Sequence, residues 1–249
     1  MERKVGVGVW NIIRFNWHFY MISLFSLLVL TVGIRLLPET LRVYGLILLF
    51  LFTLPIVSSL LVSFYVYDLS RLYEMKWLEA ENGNNILNVN AGFDETSAII
   101  KSKYPHVELS VCDFYDREKH TEISIRRARK VYPPYAGTLQ VKTHKLPFVE
   151  GYFDQVLAIL SAHEIRDKRE RIQFFKELNR VTKADGRVVV VEHLRDLPNF
   201  LAFSLGFFHF HSKADWMSSF VESDFESVVE QKITPFISIF ILNRYAHSS

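Results

Sequence analysis

Two long stretches without charge constrain this chain more than any other feature. Residues 15–34 contain no Asp, Glu, Lys or Arg, and residues 43–67 contain none either. A helix needs about 20 apolar residues to cross a hydrocarbon core of ~30 Å. Each stretch is long enough. Between them lie residues 35–42, where Pro38, Glu39 and two arginines make a short connection. The pattern predicts a membrane hairpin over residues 1–67, with spans at about 15–36 and 43–67. A signal peptide fits poorly, because the first run ends without a small-residue cleavage pattern and a second run follows at once. The remaining alternative is a pair of buried core helices. Trp10, Trp17, Tyr20, Tyr44, Phe64, Tyr65 and Tyr67 flank the runs as interfacial aromatics do. Arg3, Lys4, Arg14, Arg71 and Lys76 lie on one side, against Arg35 and Arg42 on the other. The excess of positive charge predicts an integral membrane protein with its N-terminus and everything after Tyr67 in the cytosol.

The rest of the chain has ordinary globular composition. With 249 residues, 22% charged and 49% apolar, the whole is neither a polytopic transporter nor a disordered chain. It leaves room for one domain beyond the hairpin. The formal charge of +2 predicts no nucleic-acid partner. The single cysteine, Cys112, excludes an internal disulfide framework and a cysteine-based zinc finger. Residues 68–85 read as a linker helix, over 68–81, and a turn. Strands and helices then alternate: strands near 86–90, 107–112, 138–142, 153–160 and 187–191, with helices near 95–104, 121–131 and 168–182. This alternation predicts a parallel sheet with right-handed crossovers. The β-branched run at 187–191 shows no polar alternation, as in a strand covered on both faces. Strands at 226–233 and 236–242 are separated only by a turn at Thr234 and Pro235, so they pair antiparallel.

Three segments of this α/β domain, taken as 86–249, carry a resemblance. The first is Ile86-Leu87-Asn88-Val89-Asn90-Ala91-Gly92-Phe93-Asp94, a strand running into a glycine-containing turn. The second is Asp113 at the end of the next strand, 21 positions beyond Gly92. The third is Leu146-Pro147-Phe148 followed by Gly151-Tyr152-Phe153-Asp154. Together with the final hairpin they resemble the class I S-adenosylmethionine-dependent methyltransferases, in particular the small-molecule and lipid-modifying branch with its "LPF…FD" signature. The resemblance implies a Rossmann-like methyltransferase fold, S-adenosylmethionine as cofactor, and a cofactor site at Asn88, Asn90, Ala91, Gly92, Asp113, Phe114, Thr143, His144 and Leu160. Asp113 would accept the ribose hydroxyls, Phe114 would cover the adenine, and Thr143 and His144 would border it. Asn88 replaces the usual acid near the methionyl amino group. Asn90 and Asp94 replace two glycines, and Asp94 is suited to capping the helix that follows.

Ligands bind beyond the carboxyl ends of parallel strands. His163 follows the fourth strand; Glu192 and His193 follow the fifth. These three are the catalytic candidates, a histidine being the natural base near neutral pH. The competing reading has Glu164 and Glu192 bonded to Arg166, Arg169 or Arg195. No tight ligand motif links the histidines and acids, His209 and His211 included, so no metal is expected; those two read as polar points in an interfacial helix. Residues 198–220 are unusually aromatic and suggest a bilayer-dipping lid. The expected partners are a hydrophobic small-molecule substrate, such as a lipid, an isoprenoid or quinone-type ring or a polyene aromatic, and membrane lipids. Two alternatives remain: a degenerate methyltransferase-fold scaffold, and a nicotinamide-dependent reductase.

Overall fold

The computed structural model describes residues 4–120 and 122–244. Arg3, Thr121 and the last five residues of the predicted domain lie outside them. Among the described residues, two helices meet the length and hydropathy needed to cross a membrane. Helix α2 spans Trp17–Leu36 and α3 spans Glu39–Phe64, so the connection shrinks to Leu37 and Pro38. Most of their apolar side chains face outward; Phe25 and Phe50 are each over 60% exposed. That excludes the buried-core-helix alternative, because a core helix hides such residues. The two helices touch where Gly45 lies against Ile34; a Cβ at Gly45 would come within 2.6 Å of the Ile34 side chain.

A short helix precedes them that the charge pattern did not reveal. Helix α1, Val7–Phe15, buries Gly8, Asn11 and Phe15 at helical spacing. Asp68 caps it across the hairpin, accepting the amides of Gly6 (2.9 Å), Gly8 (2.8 Å) and Val9 (2.8 Å).

The expected linker helix at 68–81 does not form. The chain makes a π turn at Tyr65–Leu69 and a 3-10 turn at Leu72–Glu74, and then reverses at Met75 in the left-handed region (φ 47°). Leu72, Met75 and Leu78 are thereby laid on one face of the sheet and buried, whereas Leu69 stays exposed. Burial of three large side chains outweighs the helical periodicity that suggested a continuous helix.

Among the described residues the sheet has seven strands: β1 (Asn85–Asn90), β2 (Glu108–Asp113), β3 (Leu139–Gln140), β4 (Phe153–Ile159), β5 (Thr182–His193), β6 (Phe225–Thr234) and β7 (Ile237–Arg244). Their order is β3-β2-β1-β4-β5-β7-β6. All pairings from β3 to β5 are parallel, and β7 runs antiparallel to both β5 and β6. The closing hairpin was legible in the sequence because two strands joined by a few residues have no parallel option. Both faces are covered. Leu87, Val89, Val156 and Val188 pack with Phe174, Phe175, Trp216 and Phe240, while Ile86, Leu157 and Val189 pack with Leu72, Met75 and Leu78. Helices α4 (Ser97–Lys103), α5 (Ile123–Val131) and α6 (Lys168–Val181) follow β1, β2 and β4 in sequence; α7 (Leu197–Phe203) and α8 (Lys213–Val221) lie between β5 and β6.

Candidate active site

The turn after β1 is built from its polar side chains. Gly92 takes φ +96°, and its amide donates to Asn90 Oδ1 (3.0 Å). Asp94 Oδ1 accepts the amides of Thr96 and Ser97, both at 2.9 Å, and so caps α4. Asn88 spends its amide on the hydroxyls of Thr96 (2.9 Å) and Ser97 (2.8 Å). Asp94 Oδ2 is buried with no hydrogen-bond partner. Asp113, at the tip of β2, is only 3% exposed; Oδ1 accepts the Tyr115 amide at 2.8 Å and Oδ2 is ion-paired with Arg129. The same guanidinium donates to the Gly92 carbonyl (3.3 Å) and lies 4.5 Å over the Tyr115 ring. A Cβ at Gly92 would come within 2.9 Å of both Arg129 and Tyr115.

This donor set fits a cationic nucleoside. A left-handed glycine allows close backbone approach, a buried acid stands ready for a ribose diol, and an orphaned carboxylate oxygen favours a nearby cation. In this structure Arg129 occupies the Asp113 oxygen that a diol would need. Asn90, Gly92 and Leu160, the last at φ 49°, lie at the same strand tips. Three proposed cofactor contacts are placed elsewhere. Phe114 is 2% exposed in the core, its ring 5.2 Å from Phe174, because the chain turns it inward after Asp113; Tyr115 is the ring beside Gly92. Thr143 is buried and donates to Glu170 Oε1 at 2.7 Å. His144 is exposed beside Lys145 and Pro147, in a separate depression. Ala91 packs in the core next to the turn.

A cavity of about 260 Å³ opens beside this turn, with Asn90, Leu160, His163, His193, His209 and Phe210 on its wall. Its roof is α1. Asn11, 4% exposed, donates to Glu95 Oε1 (3.1 Å) and accepts from Tyr132 (3.0 Å), while Phe15 meets the Phe93 ring edge-on at 5.7 Å. Tyr67, from the end of the hairpin, closes another side. Asn11, Phe15, Tyr67, Tyr73 and Glu95 were therefore missed as site residues. The spacing of Gly8, Asn11 and Phe15 is the one signal that could have exposed the roof.

The rims of β4 and β5 hold their histidines differently. His193 is 3% exposed, with Nδ1 3.0 Å from Asn199 Oδ1 and Nε2 2.9 Å from the Tyr67 hydroxyl. Asn199 gives its NH2 to Asp196 (2.9 Å) and to the Phe236 carbonyl (3.2 Å), so its oxygen faces the ring. Hence Nδ1 carries the proton, and Nε2 accepts a hydrogen bond from the Tyr67 hydroxyl. Burial pushes the His193 pKa down to about 4, and the bond to Asn199 offsets this only in part. Its ring stacks on Phe210 at 4.7 Å.

His163 has carboxylates on both sides. Nδ1 lies 2.7 Å from Glu192 Oε2, and Nε2 lies 3.4 Å from Glu164 Oε1. Glu192 is fully buried, and its Oε1 accepts the amides of Ser161 and His163 at 3.1 Å each. Burial opposes charge on His163, but the Glu192 field and bonds to both acids prevail, pushing its pKa up to about 10. Glu164 is buried too, yet hydrogen bonds from His163 and His209 hold it well below the usual carboxylate range. The two rims thus give their histidines different protonation preferences. Glu192 bonds within this rim, not to Arg169 or Arg195.

The aromatic segment divides. Trp216 and Phe220 are fully buried core, whereas Leu201, Leu205 and Phe208 are over 60% exposed. Leu201 sits against the hairpin, its carbonyl accepting from Ser58 at 3.0 Å. His211 is not an isolated surface point; it lies 3.2 Å from Arg171 and edge-on to Trp216.

The ubiE/COQ5 methyltransferase family model matches residues 57–227. Two curated relatives each align with about half of the chain. One, from Geotalea uraniireducens strain Rf4, is named ubiquinone/menaquinone biosynthesis C-methyltransferase UbiE and is 27% identical over 135 residues, 53% of this chain and 55% of that protein. The other, demethylmenaquinone methyltransferase from Thermotoga maritima, is 30% identical over 133 residues, 53% and 52% of the two chains. The chain thus spans about half the length of the curated relatives it matches. Among solved structures, a chain from the complex of the Haloferax volcanii Trm112 methyltransferase activator with a putative methyltransferase aligns with TM-score 0.52 at 11% identity. That alignment covers 70% of this chain and 88% of the other.

Proposed function

The chain belongs to the ubiE/COQ5 methyltransferase family, and from this premise we propose that it is a membrane-anchored S-adenosylmethionine-dependent methyltransferase acting on a quinol-type aromatic lipid. The observation that carries the reading is the acceptor nitrogen of His193, bonded to Tyr67 at 2.9 Å in a cavity beside the Gly92 turn. The names of the two curated relatives favour a quinone-type substrate. The exposed apolar side chains of α2, α3 and the 197–208 segment favour a bilayer setting, in which the lipid arrives along the hairpin. Positive charges flank the spans so that both the roof helix and the catalytic domain lie on the cytosolic side.

S-adenosylmethionine would be held by Asp113 and the turn from Asn88 to Asp94, and would supply an electrophilic methyl group. The chain contributes orientation and a proton acceptor. A phenolic ring in the cavity places its hydroxyl at Tyr67, and the proton passes to His193 Nε2 directly or through the Tyr67 oxygen. Loss of that proton raises electron density on a ring carbon, which would take the methyl as the sulfur–methyl bond breaks and S-adenosylhomocysteine leaves. That carbon would then release its own proton to solvent, and the phenolate oxygen would recover a proton from His193. Positive charge at the His163 rim stabilises the phenolate. Helix α1 excludes water and holds the ring against the strand tips. Titration calorimetry on the detergent-solubilised full chain tests the reading. S-adenosylmethionine should bind and NADH should not. Binding of NADH alone supports a reductase, and binding of neither supports the scaffold.

A further inference from the structure

Three carboxylates and two imidazoles meet at the β4 rim in an arrangement that proton transfer from a phenol does not require. His163 and His209 each present Nε2 to the same atom, Glu164 Oε1, and both distances are 3.4 Å. Each Nδ1 is held by a separate acid: His163 by Glu192 at 2.7 Å, and His209 by Glu122 at 2.8 Å. The donor atoms of His163, Glu164 and His209 all lie within 4.8 Å of one another.

We infer that His163, Glu164 and His209 form a binding site for one divalent transition-metal cation, with Glu192 and Glu122 orienting its two imidazoles. The separation of 3.4 Å makes both contacts to Glu164 long hydrogen bonds. It is the spacing of two ligand atoms each ~2.1 Å from one ion at a tetrahedral angle, about 3.4 Å apart. A carboxylate on Nδ1 fixes the tautomer in which Nε2 offers its lone pair, as metal-binding histidines require. Two imidazoles and one carboxylate suit zinc, manganese or iron. Three protein ligands leave a coordination position open. Both histidines line the cavity, so that position faces the substrate.

The charge balance agrees. Three carboxylates gather at this rim, and a divalent ion would offset their charge at the same corner where the methyl-transfer reading requires positive charge. The inference rests on that reading only for the purpose of the ion, a Lewis acid for the phenolate oxygen; binding itself stands on the ligand geometry. One further charged group faces the cluster. Arg166 reaches the carbonyl and the ring of His209, with Nη2 2.9 Å from its Nε2. Arg166 is exposed and can swing into solvent when the ion binds.

Cobalt(II) is the probe, added to untagged, chelator-treated full-length protein in detergent, without cofactor or substrate. One equivalent should bind, with the visible absorption of a low-symmetry site. His209→Ala and Glu164→Gln should abolish it, Glu122→Gln should weaken it 10- to 100-fold, and His211→Ala should change nothing. Glu122 is partly exposed at the rim, so its variant guards against a folding artefact. Absence of cobalt binding, or equal binding in wild type and His209→Ala, overturns the inference. Either result leaves S-adenosylmethionine binding and methyl transfer to be judged separately by calorimetry and product analysis.

Discussion

The rims after β4 and β5 place the same residue type beside one cavity and give it opposite characters. His193 has only neutral partners, Asn199 and Tyr67, and burial leaves it uncharged. His163 has Glu192 and Glu164, and their charges more than repay the same burial. Phe210 stands beside both rings, 4.7 Å from His193 and 6.4 Å from His163. Burial alone therefore does not set a histidine's role; the charge of its hydrogen-bond partner does. Paired titratable groups whose environments push them apart mark the acid and base positions of a site.

The comparison breaks most readily at His193. His193→Gln should lower turnover by roughly 10²–10⁴-fold while cofactor affinity holds, as steady-state rates and calorimetry would show. Equal loss in His163→Gln with no loss in His193→Gln would reverse the assignment. Next in size is Glu192→Ala, which strips a buried partner from His163. It should cost ~3–5 kcal/mol of stability in denaturant unfolding, well beyond the effect of Asn199→Ala at the neutral rim.

The cofactor end sharpens the picture with a smaller effect. Asp113→Ala should weaken S-adenosylmethionine binding by ~1.5–3 kcal/mol, the scale of a charged hydrogen bond. Arg129→Ala should do the reverse, tightening binding a few-fold because the partly exposed ion pair with Asp113 is worth ~1 kcal/mol or less. Weaker binding in Arg129→Ala would mean that the guanidinium serves the cofactor instead of competing with it.

The smallest effect is on pH dependence. His193 has a folded pKa near 4, below its value in the unfolded chain. Its contribution to stability is present above the unfolded pKa of ~6.5 and is lost as pH falls toward 4. Part of the acid-side decline in thermal unfolding temperature should vanish in His193→Gln. An unchanged decline would show that other groups carry it.

The sequence disclosed what periodicity and charge encode directly. The uncharged runs gave the hairpin, the alternation gave the parallel sheet, and the brief link at Thr234 and Pro235 gave the closing antiparallel pair. It did not disclose contacts made across long separations. Asp68 capping α1, Asn11 bonding Glu95, and Tyr67 bonding His193 join residues 59 or more positions apart. No local pattern records such pairs. Phe114 and Tyr115 are neighbours of similar type, and only the direction of the chain after β2 decides which ring meets the cleft. The clustering of His163, Glu164 and His209 stayed hidden for the same reason. His209 comes from a turn far along the chain from His163, and Glu122 from the start of α5.

The most direct test of the account supplies the detergent-solubilised full chain with methyl-labelled S-adenosylmethionine and a reduced quinone lacking one ring methyl, followed by mass spectrometry of the extracted lipid. The account predicts label on a ring carbon with wild type and almost none with His193→Gln. Unlabelled lipid from wild-type protein that demonstrably binds S-adenosylmethionine, or equal labelling by the His193 variant, would contradict it.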